Sequence, residues 1–280
     1  MVASTATPPD VTLFAHRGFA GVVPENTLTA ARRAAGLGAD VIECDVVATA
    51  DGTPVVFHDR RLDGRGASRG ITDATGAVDE RSTETVTGAH VHGTTQQIPT
   101  FSAFLDAVPD EVGLNVELKH PANASVDGAP DDESHRDQWR PVVRRVLDAL
   151  DRDPETVLFS SFSAPALTTV RSASPHARVA PIAWDLETAV EMADDLDTEI
   201  VHPSIEGVRS AALESLGAYT VNAWTARTWQ DARDAVNGLQ ANGRTNIEEA
   251  IDIAHEELDG HDVATTYTAS GNHRTDAQPI

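Results

Sequence analysis

The sequence predicts an α/β protein, a (β/α)8 TIM-type barrel with a small insertion after strand 2 and an eighth strand that is atypical or missing. Short apolar runs alternate with helical patterns along most of the 280 residues, which is typical of parallel sheets built from βα units. Seven such strands fit between residues 12 and 236, one short of a complete barrel. The alternative is an open doubly wound sheet, which is disfavoured because no glycine-rich G-x-G-x-x-G loop follows the first strand.

The strands are predicted where short apolar runs end in polar residues. In chain order they are Thr12–Ala15, Val41–Val47, Gly113–Leu118, Thr156–Ser160, Arg178–Ala183, Glu199–His202 and Tyr219–Ala223. Helical periodicity predicts helices at Thr27–Leu37, Arg140–Asp151, Ala164–Ala173, Leu186–Leu196, Val208–Leu216 and Trp229–Val236. Asn26 is the expected N-cap of the first helix, which closes on glycines.

Two stretches depart from this alternation. The turn sequence Asp51-Gly52-Thr53-Pro54 leads directly into Val55-Val56-Phe57, so we expect a hairpin extending from the second strand. Arg60–Pro99 is too long for a plain loop and predicts a small subdomain over one end, whereas the acidic stretch Asn123–Asp137 is expected to be mobile. The predicted division is an N-terminal extension at 1–11, a barrel at 12–236 with its insertion at about 60–100, and a divergent tail at 237–280.

The charge balance disfavours several classes of function. The chain has 44 Asp and Glu against 21 Lys and Arg, a net charge of -23, which works against binding nucleic acid or docking on an anionic membrane. No apolar run approaches the roughly 20 residues of a spanning helix, and Met1–Pro9 does not resemble a secretory signal. We therefore expect a cytoplasmic protein that binds no nucleic acid and has no stable membrane association. The single cysteine, Cys44, excludes an internal disulfide and a cysteine-based metal cage.

Lysine is almost absent from the chain. All but one of the 21 cations are arginine, and the exception is Lys119. A dense acidic surface without lysine is typical of adaptation to a high-salt cytoplasm, where salt screens the self-repulsion of the charges. The alternative is an acidic protein from a GC-rich genome. Under either interpretation Lys119 stands out, because an ordinary solvated lysine could have become arginine.

Charged residues collect where the first strands end, which is where a barrel carries its active site. They occur in His16-Arg17-Gly18, Glu43-Cys44-Asp45, His58-Asp59 and Glu117-Leu118-Lys119. Because side chains alternate along a strand, Glu43 and Asp45 share a face from which Cys44 points away. With Glu117 they form an all-oxygen set suited to a hard divalent cation, Mg²⁺ or Ca²⁺.

These strings, in this order, resemble the glycerophosphodiester phosphodiesterases. The resemblance extends from Leu13 to about Asp234 and is carried by Ala15-His16-Arg17-Gly18, Pro24-Glu25-Asn26-Thr27, Glu43-Cys44-Asp45-Val46, the stretch from Asp51 to Asp59, Glu117-Leu118-Lys119, Phe159-Ser160-Ser161-Phe162 and Ala223-Trp224-Thr225. It implies a barrel with a small insertion after the hairpin. It also implies metal-dependent hydrolysis of a small-molecule glycerophosphodiester to glycerol phosphate and an alcohol.

The resemblance also implies roles for individual residues. The metal would be held by Glu43, Asp45 and Glu117, the acid/base pair would be His16 and His58, and the phosphate would be neutralised by Arg17 and Lys119; Glu25 and Asn26 join the substrate-binding set. Trp224 packs either on the glycerol moiety or within the barrel rim. The nucleophile, a substrate hydroxyl or a water, stays open, as do the alcohol group and the oligomeric state.

The resemblance stops before the C-terminus. The stretch from Asn242 to Ile251 is instead similar to a segment of von Willebrand factor A-type domains, although their Asp-x-Ser-x-Ser metal motif is absent. We therefore expect residues 237–280 to be a foreign or truncated piece; the alternative is a divergent C-terminus with Asp262–Thr268 as a makeshift eighth strand. Three functional alternatives remain: an inactive or unstable barrel remnant, a binding module of the von Willebrand type, and a related phosphodiesterase acting on lyso-phospholipid or inositol phosphodiesters.

Overall fold

Eight parallel strands form a closed ring in the computed structural model, which describes residues 12–120, 131–210, 219–228, 231 and 245–249. They are β1 (Thr12–Ala15), β2 (Val41–Ala48), β4 (Gly113–Leu118), β5 (Val157–Ser161), β6 (Arg178–Ala183), β7 (Ile200–Pro203), β8 (Thr220–Ala226) and β9 (Thr245–Glu249). Each strand pairs in parallel with the next, and β1 pairs with both β2 and β9. The predicted (β/α)8 barrel is therefore confirmed.

The eighth strand is present, and it is short and polar. Leu13 of β1 lies opposite Ile247 of β9, and Val221 of β8 lies opposite Thr245. This strand lies beyond residue 236, where the expected barrel ended, and inside the stretch that resembles a von Willebrand segment. The origin of residues 237–280 stays a prediction, and the makeshift strand at Asp262–Thr268 lies outside the described residues.

Apart from Thr83–Thr87, which belongs to the insertion, the described helices cover the outside of the ring. Their bounds are α1 (Leu28–Gly36), α2 (Thr83–Thr87), α3 (Phe101–Leu105), α4 (Glu133–Ala149), α5 (Ala164–Ala173), α6 (Leu186–Asp195) and α7 (Ile205–Ser210). The N-cap of α1 is Thr27 and not the expected Asn26, because the Thr27 hydroxyl accepts the Ala30 N–H. The predicted helix Val208–Leu216 is seen only as far as Ser210, and Trp229–Val236 lies outside the described ranges except for Asp231.

Helix α4 begins earlier than its apolar pattern indicates. The prediction started at Arg140, but the helix starts at Glu133, with Asp132 as an N-cap that accepts the His135 N–H. Polar side chains on the first two turns hide the helical period, and a capping bond and ion pairs such as Arg140 with Glu133 stabilise them instead. Residues 133–137 of the stretch that was expected to be mobile therefore belong to this helix, and residues 121–130 lie outside the described part of the chain.

The hairpin and the insertion are both present. Strand β3 (Pro54–Val56) pairs antiparallel with β2, so the chain turns back over the mouth of the barrel. The insertion that follows packs against β2 and β3 in a small apolar core that is separate from the main core of the barrel. Its buried members are Val47, Val55, Phe57, Leu62, Val78, Val86, Ala89, Val91 and Ile98. Residues 60–99 are thus anchored by packing and not by the hairpin alone.

The strand register sets which side chains meet inside the ring. Asp45 of β2 lies opposite Glu117 of β4, and Glu117 lies opposite Ser160 of β5. Cys44 belongs to the apolar core between strands and helices, so its neighbours Glu43 and Asp45 point the other way, into the barrel. No helix in the described part of the chain combines the length and the apolar character that crossing a bilayer demands.

Candidate active site

The turn after β1 has a backbone that few sequences could adopt. His16–Gly18 forms one 3-10 turn, and φ is positive at Arg17, Gly18 and Phe19, at 53°, 74° and 61°. A Cβ at position 18 would lie 2.7 Å from the Ala30 Cβ, so both the dihedral angle and the space require glycine. This backbone directs the Arg17 N–H to the Glu43 Oε2 at 2.7 Å, which ties the turn to β2.

Three buried carboxylates form the centre of the site. Glu43, Asp45 and Glu117 each offer one oxygen, and these oxygens all lie within 4.8 Å of one another. Like charges this close and this buried are unstable unless cations or a metal offset them. An all-carboxylate set fits a hard divalent cation, and Cys44 supplies no thiolate because it lies in the apolar core. The residues present therefore fit a divalent metal ion.

Two basic side chains contact the same carboxylates. Lys119 Nζ is 3.0 Å from Asp45 Oδ1 and also bonds Glu117, and Arg17 Nε is 3.2 Å from Asp45 Oδ2. Burial alone would raise the pKa of the Asp45 carboxyl, but Lys119 and Arg17 outweigh burial and hold that pKa well below its usual range. For Lys119, Asp45 and Glu117 outweigh the effect of burial and raise the pKa of the ammonium. The Asp45 carboxyl group is therefore ionised, as a metal ligand must be.

Asn26 fixes the orientation of Asp45. Its Nδ2 donates to Asp45 Oδ2 at 2.7 Å, and its Oδ1 accepts the Asp45 N–H at 3.3 Å. The residue is buried and has φ of 57°, a conformation that asparagine tolerates better than most residues. Asn26 is thus a partner of a candidate metal ligand; its predicted place in substrate binding stays a prediction.

The two histidines lie at the same end of the barrel, after β1 and after β3. His58 Nδ1 is 2.7 Å from Asp59 Oδ1. Burial raises the pKa of the Asp59 carboxyl, but hydrogen bonds from His58 and from the Arg69 backbone outweigh it and lower that pKa to about 2. An ionised carboxylate only accepts, so His58 Nδ1 carries the proton and Nε2 stays available for proton transfer.

Burial and nearby cations favour the neutral form of both imidazoles. Burial lowers the pKa of His58, and Lys119 adds to the effect. Burial and the Arg17 charge lower the pKa of His16 well below its usual range. A neutral imidazole near pH 7 can accept a proton from a nucleophile, so either side chain is competent as a base.

Sequence reasoning missed Arg69. This insertion residue contacts both Glu25 and Asp59, and Glu25 Oε1 also accepts Arg17 Nη1 at 3.0 Å. Asp59 could have been found, because it directly follows His58. No pattern in the glycine-rich insertion distinguishes Arg69 from its neighbours Arg60, Arg61 and Arg65.

Three aromatic side chains form a cluster at or near the ends of β5, β6 and β8. Trp224 is 4.9 Å from Trp184 and 5.7 Å from Phe162 between ring centroids, and Trp184 is 6.0 Å from Phe162. Ser160 of β5 lies opposite Glu117 of β4, and Phe162 follows β5 just as Lys119 follows β4. In the part of the chain that the structure describes, Trp184 is the only exposed large apolar side chain, at 67%. Trp184 was not predicted, although its position one residue after β6 could have indicated it.

Comparisons with known proteins point to one family. The model of the glycerophosphoryl diester phosphodiesterase family matches residues 16–243. A glycerophosphodiester phosphodiesterase of Bacillus altitudinis is 29% identical over 203 residues, which is 70% of this chain and 76% of that protein. The uncharacterized protein YqiK of Bacillus subtilis is 29% identical over 230 residues, or 79% of this chain and 88% of that protein. A solved Oleispira antarctica phosphodiesterase, in complex with the product sn-glycerol-3-phosphate, shares the fold with a TM-score of 0.69 at 24% identity, over 85% of this chain and 92% of that one.

Proposed function

Since the chain belongs to the glycerophosphoryl diester phosphodiesterase family, we propose that it hydrolyses glycerophosphodiesters to glycerol phosphate and an alcohol, with Mg²⁺ or Ca²⁺ at the site. The observation that carries the proposal is the buried triad of Glu43, Asp45 and Glu117, with Arg17 and Lys119 against it. A phosphodiester is a poor electrophile because its anionic oxygens repel nucleophiles. A site that concentrates positive charge beside a hard-metal ligand set offsets that repulsion.

The three carboxylates would hold the cation. When bound, a divalent cation offsets the negative charge that develops on the phosphoryl oxygens, which is worth several kcal/mol in such reactions. Oxygen ligands suit both Mg²⁺ and Ca²⁺, which differ in the geometry that they demand. Asn26 maintains the orientation of Asp45 for this purpose, as outer partners of metal ligands commonly do.

The two cationic side chains of the protein itself would bind the phosphate. Arg17 offers a planar fork and Lys119 a compact charge, and both already lie against the carboxylates. A diester phosphate that enters the site carries its own anionic oxygens to these cations. Neutralisation by fixed charges is favourable because the site requires no reorganisation during the reaction.

The histidines would move the protons. One imidazole takes the proton from the attacking hydroxyl as a new P–O bond forms. The other imidazole reacts in its imidazolium form, which the negative charge of the bound diester favours, and it protonates the leaving alkoxide as the P–O bond to the alcohol breaks. Attack by water gives glycerol phosphate directly, whereas attack by the glycerol hydroxyl of the substrate gives a cyclic phosphate that water then opens, with the two imidazoles in exchanged roles. His58 acts through Nε2, since its Nδ1 proton is committed to Asp59.

The aromatic cluster of Phe162, Trp184 and Trp224 would contact the organic part of the substrate. Phe162 follows β5, the strand paired with β4, which carries Glu117, and its ring packs against those of Trp184 and Trp224. The Oleispira antarctica protein, which was solved with sn-glycerol-3-phosphate as its product, supports glycerol phosphate as a product here. The closed ring with β9 in place favours an active enzyme over a barrel remnant, whose sheet would have an open edge.

The test is the release of glycerol phosphate from glycerophosphocholine, compared with glycerophosphoinositol and lyso-phosphatidylcholine. We expect activity on the first substrate, its loss in EDTA, and its return with Mg²⁺ or Ca²⁺. Glu43→Gln should abolish turnover, whereas Glu111→Gln, an exposed control before β4, should not. Turnover that persists in EDTA would contradict the metal assignment. Preference for the lyso-phospholipid would favour the alternative substrate class.

A further inference from the structure

We propose that Arg69, an insertion residue, is a positioning residue that sets the places of His58 and Arg17 through Asp59 and Glu25. The inference rests on the proposed function, because it assigns a task to the insertion in that reaction. It concerns a side chain that touches neither the carboxylate triad nor, in the proposed chemistry, the phosphate.

The contacts of Arg69 use its guanidinium and its backbone N–H. Nη1 donates to Glu25 Oε2 at 2.8 Å and Nη2 to Glu25 Oε1 at 2.7 Å, which is a two-pronged ion pair. Nε donates to Asp59 Oδ1 at 3.0 Å, and the Arg69 N–H donates to Asp59 Oδ2 at 2.7 Å. One arginine therefore holds two carboxylates that come from separate segments of the chain.

Each of those two carboxylates also forms a hydrogen bond with a candidate catalytic or binding residue. Asp59 Oδ1 is 2.7 Å from His58 Nδ1, and Glu25 Oε1 is 3.0 Å from Arg17 Nη1. The bonds form a continuous series from His58 through Asp59, Arg69 and Glu25 to Arg17. The proposed base and the proposed phosphate ligand are thus connected by one insertion residue.

Glu25 and Asp59 are both buried, so their ionised carboxylates depend on the bonds to Arg69 for stabilisation. Glu25 is 7% exposed and Asp59 is 5% exposed, so neither finds compensation in water. Burial raises the pKa of the Glu25 carboxyl, but the Arg69 hydrogen bonds and the Arg17 charge outweigh it and lower that pKa. Loss of Arg69 leaves both carboxylates with fewer partners, and they would rearrange to reach others.

The backbone next to Arg69 has a conformation and a close packing that require glycine. Gly70 has φ of 69°, and a Cβ there would lie 2.8 Å from the Gly64 Cα, so two glycines pack against each other beneath the arginine. The apolar core of the insertion does not include Arg69, whose side chain is 37% exposed. Arg69 is therefore not needed to fill that core, and the insertion can keep its fold without it.

The experiment compares Arg69→Ala, Arg69→Lys and Arg61→Ala in the 280-residue chain loaded with Mg²⁺. Arg61 is the matched control, because it lies in the same insertion and pairs with Asp63 instead of the site. We expect kcat to fall about 10- to 100-fold in Arg69→Ala, by analogy with the loss typical of outer partners of metal ligands. Arg69→Lys should recover only part of the lost kcat. Lysine restores the positive charge, but one ammonium cannot bind two carboxylates as the planar guanidinium does. Arg61→Ala should stay within about twofold of wild type.

Two further readouts separate positioning from a general loss of structure. Millimolar guanidinium should restore part of kcat to Arg69→Ala, because it can occupy the vacated place between Glu25 and Asp59. In a double-mutant cycle, Asp59→Asn with Arg69→Ala should be no slower than the worse single variant, because both break the same connection to His58. If Arg69→Ala misfolds, the kcat of Arg69→Lys is used in its place to test the role of Arg69.

The outcomes distinguish this inference from the proposed function. An inactive wild type would refute the proposed function. An active wild type with kcat within twofold in Arg69→Ala, or with losses that multiply in the double variant, would overturn the role of Arg69 alone. Loss of kcat matched by partial unfolding and not relieved by guanidinium or lysine would also overturn it.

Discussion

Asn26 and Asp45 are joined by two hydrogen bonds. The Asn26 Nδ2 donates to the Asp45 Oδ2 at 2.7 Å, and the Asp45 N–H donates to the Asn26 Oδ1 at 3.3 Å. The Asn26 N–H also donates to the Arg17 carbonyl at 3.0 Å, so one asparagine connects the turn after β1 with the ligand strand β2. Its positive φ directs the side chain inward. The orientation of a candidate metal ligand therefore depends on a residue that itself need not touch the metal.

We predict that Asn26→Gly lowers the affinity for Mg²⁺ about 10- to 100-fold without a large loss of stability. Glycine accepts the positive φ but removes both side-chain hydrogen bonds. Asn26→Ala should lose the same affinity and in addition about 1–3 kcal/mol of stability, because alanine is strained in this conformation. Calorimetric titration with Mg²⁺ and thermal unfolding measure the two effects. An unchanged affinity in Asn26→Gly would show that Asp45 needs no orientation.

Asp59 makes the stability depend on pH on the acid side. Its folded pKa of about 2 lies below the usual 3.8, so its stabilising contribution is complete above about pH 4 and is lost as the pH falls towards 2. We predict that Asp59→Asn is less stable than wild type at pH 7 and loses less of its stability between pH 4 and pH 2. Urea unfolding at several pH values measures this, with the exposed Asp110→Asn as control. Parallel pH curves for Asp59→Asn and wild type would contradict the pairing with His58 and Arg69.

The histidines give a prediction on activity. His16→Ala and His58→Ala should each lower kcat by roughly 10²–10⁴-fold, the usual contribution of an acid or base. Because burial lowers the pKa of both imidazoles, the base should stay neutral below pH 6.5, and kcat/KM should fall only at more acidic pH. His176→Ala, on an exposed turn before β6, is the control. Near-normal turnover in either site variant would return that histidine to a structural role.

Elements with a strong local pattern were predicted to the residue. Gly113–Leu118, Ala164–Ala173 and Arg178–Ala183 agree at both ends, because an apolar period and clear turn signals mark them. The start of α4 at Glu133 and strand β9 at Thr245–Glu249 were not predicted, since polar residues form both and long-range pairing stabilises β9. Arg69 was missed for the same physical reason: its partners Glu25 and Asp59 are brought to it by the fold and not by spacing.

Trp184 and Trp224 are expected to differ in what they contribute. Trp224 donates its Nε1 proton to the His202 carbonyl at 2.7 Å and supports the rim, whereas Trp184 is exposed. We predict that Trp184→Ala raises KM for glycerophosphocholine about 3- to 10-fold with no change in Tm, as expected for loss of one aromatic contact. Trp224→Phe should instead lose about 1 kcal/mol of stability with its hydrogen bond. An unchanged KM in Trp184→Ala would leave the aromatic cluster with a packing role only.

Lys119 occupies the place between two candidate metal ligands. Its Nζ contacts Asp45 at 3.0 Å and also bonds Glu117, and the side chain is only 14% exposed. An ammonium fits between two carboxylates as a compact charge, while a guanidinium is wider and planar. This confined space is a physical reason for one lysine to persist in a chain that uses arginine for its other 20 cations.

We predict that Lys119→Arg folds normally and binds Mg²⁺ but loses at least about tenfold in kcat, or roughly 1.4 kcal/mol of transition-state stabilisation. Lys119→Met should lose more turnover, yet bind Mg²⁺ at least as tightly as wild type, because the carboxylates lose the cation that competes with the metal. Arg144→Lys, at a side chain that is 84% exposed, is the matched control and should change nothing. Steady-state kinetics and calorimetric titration separate turnover from metal binding. If Lys119→Arg were as fast as wild type, the single lysine would be an accident of composition, and the binding of phosphate would fall to Arg17.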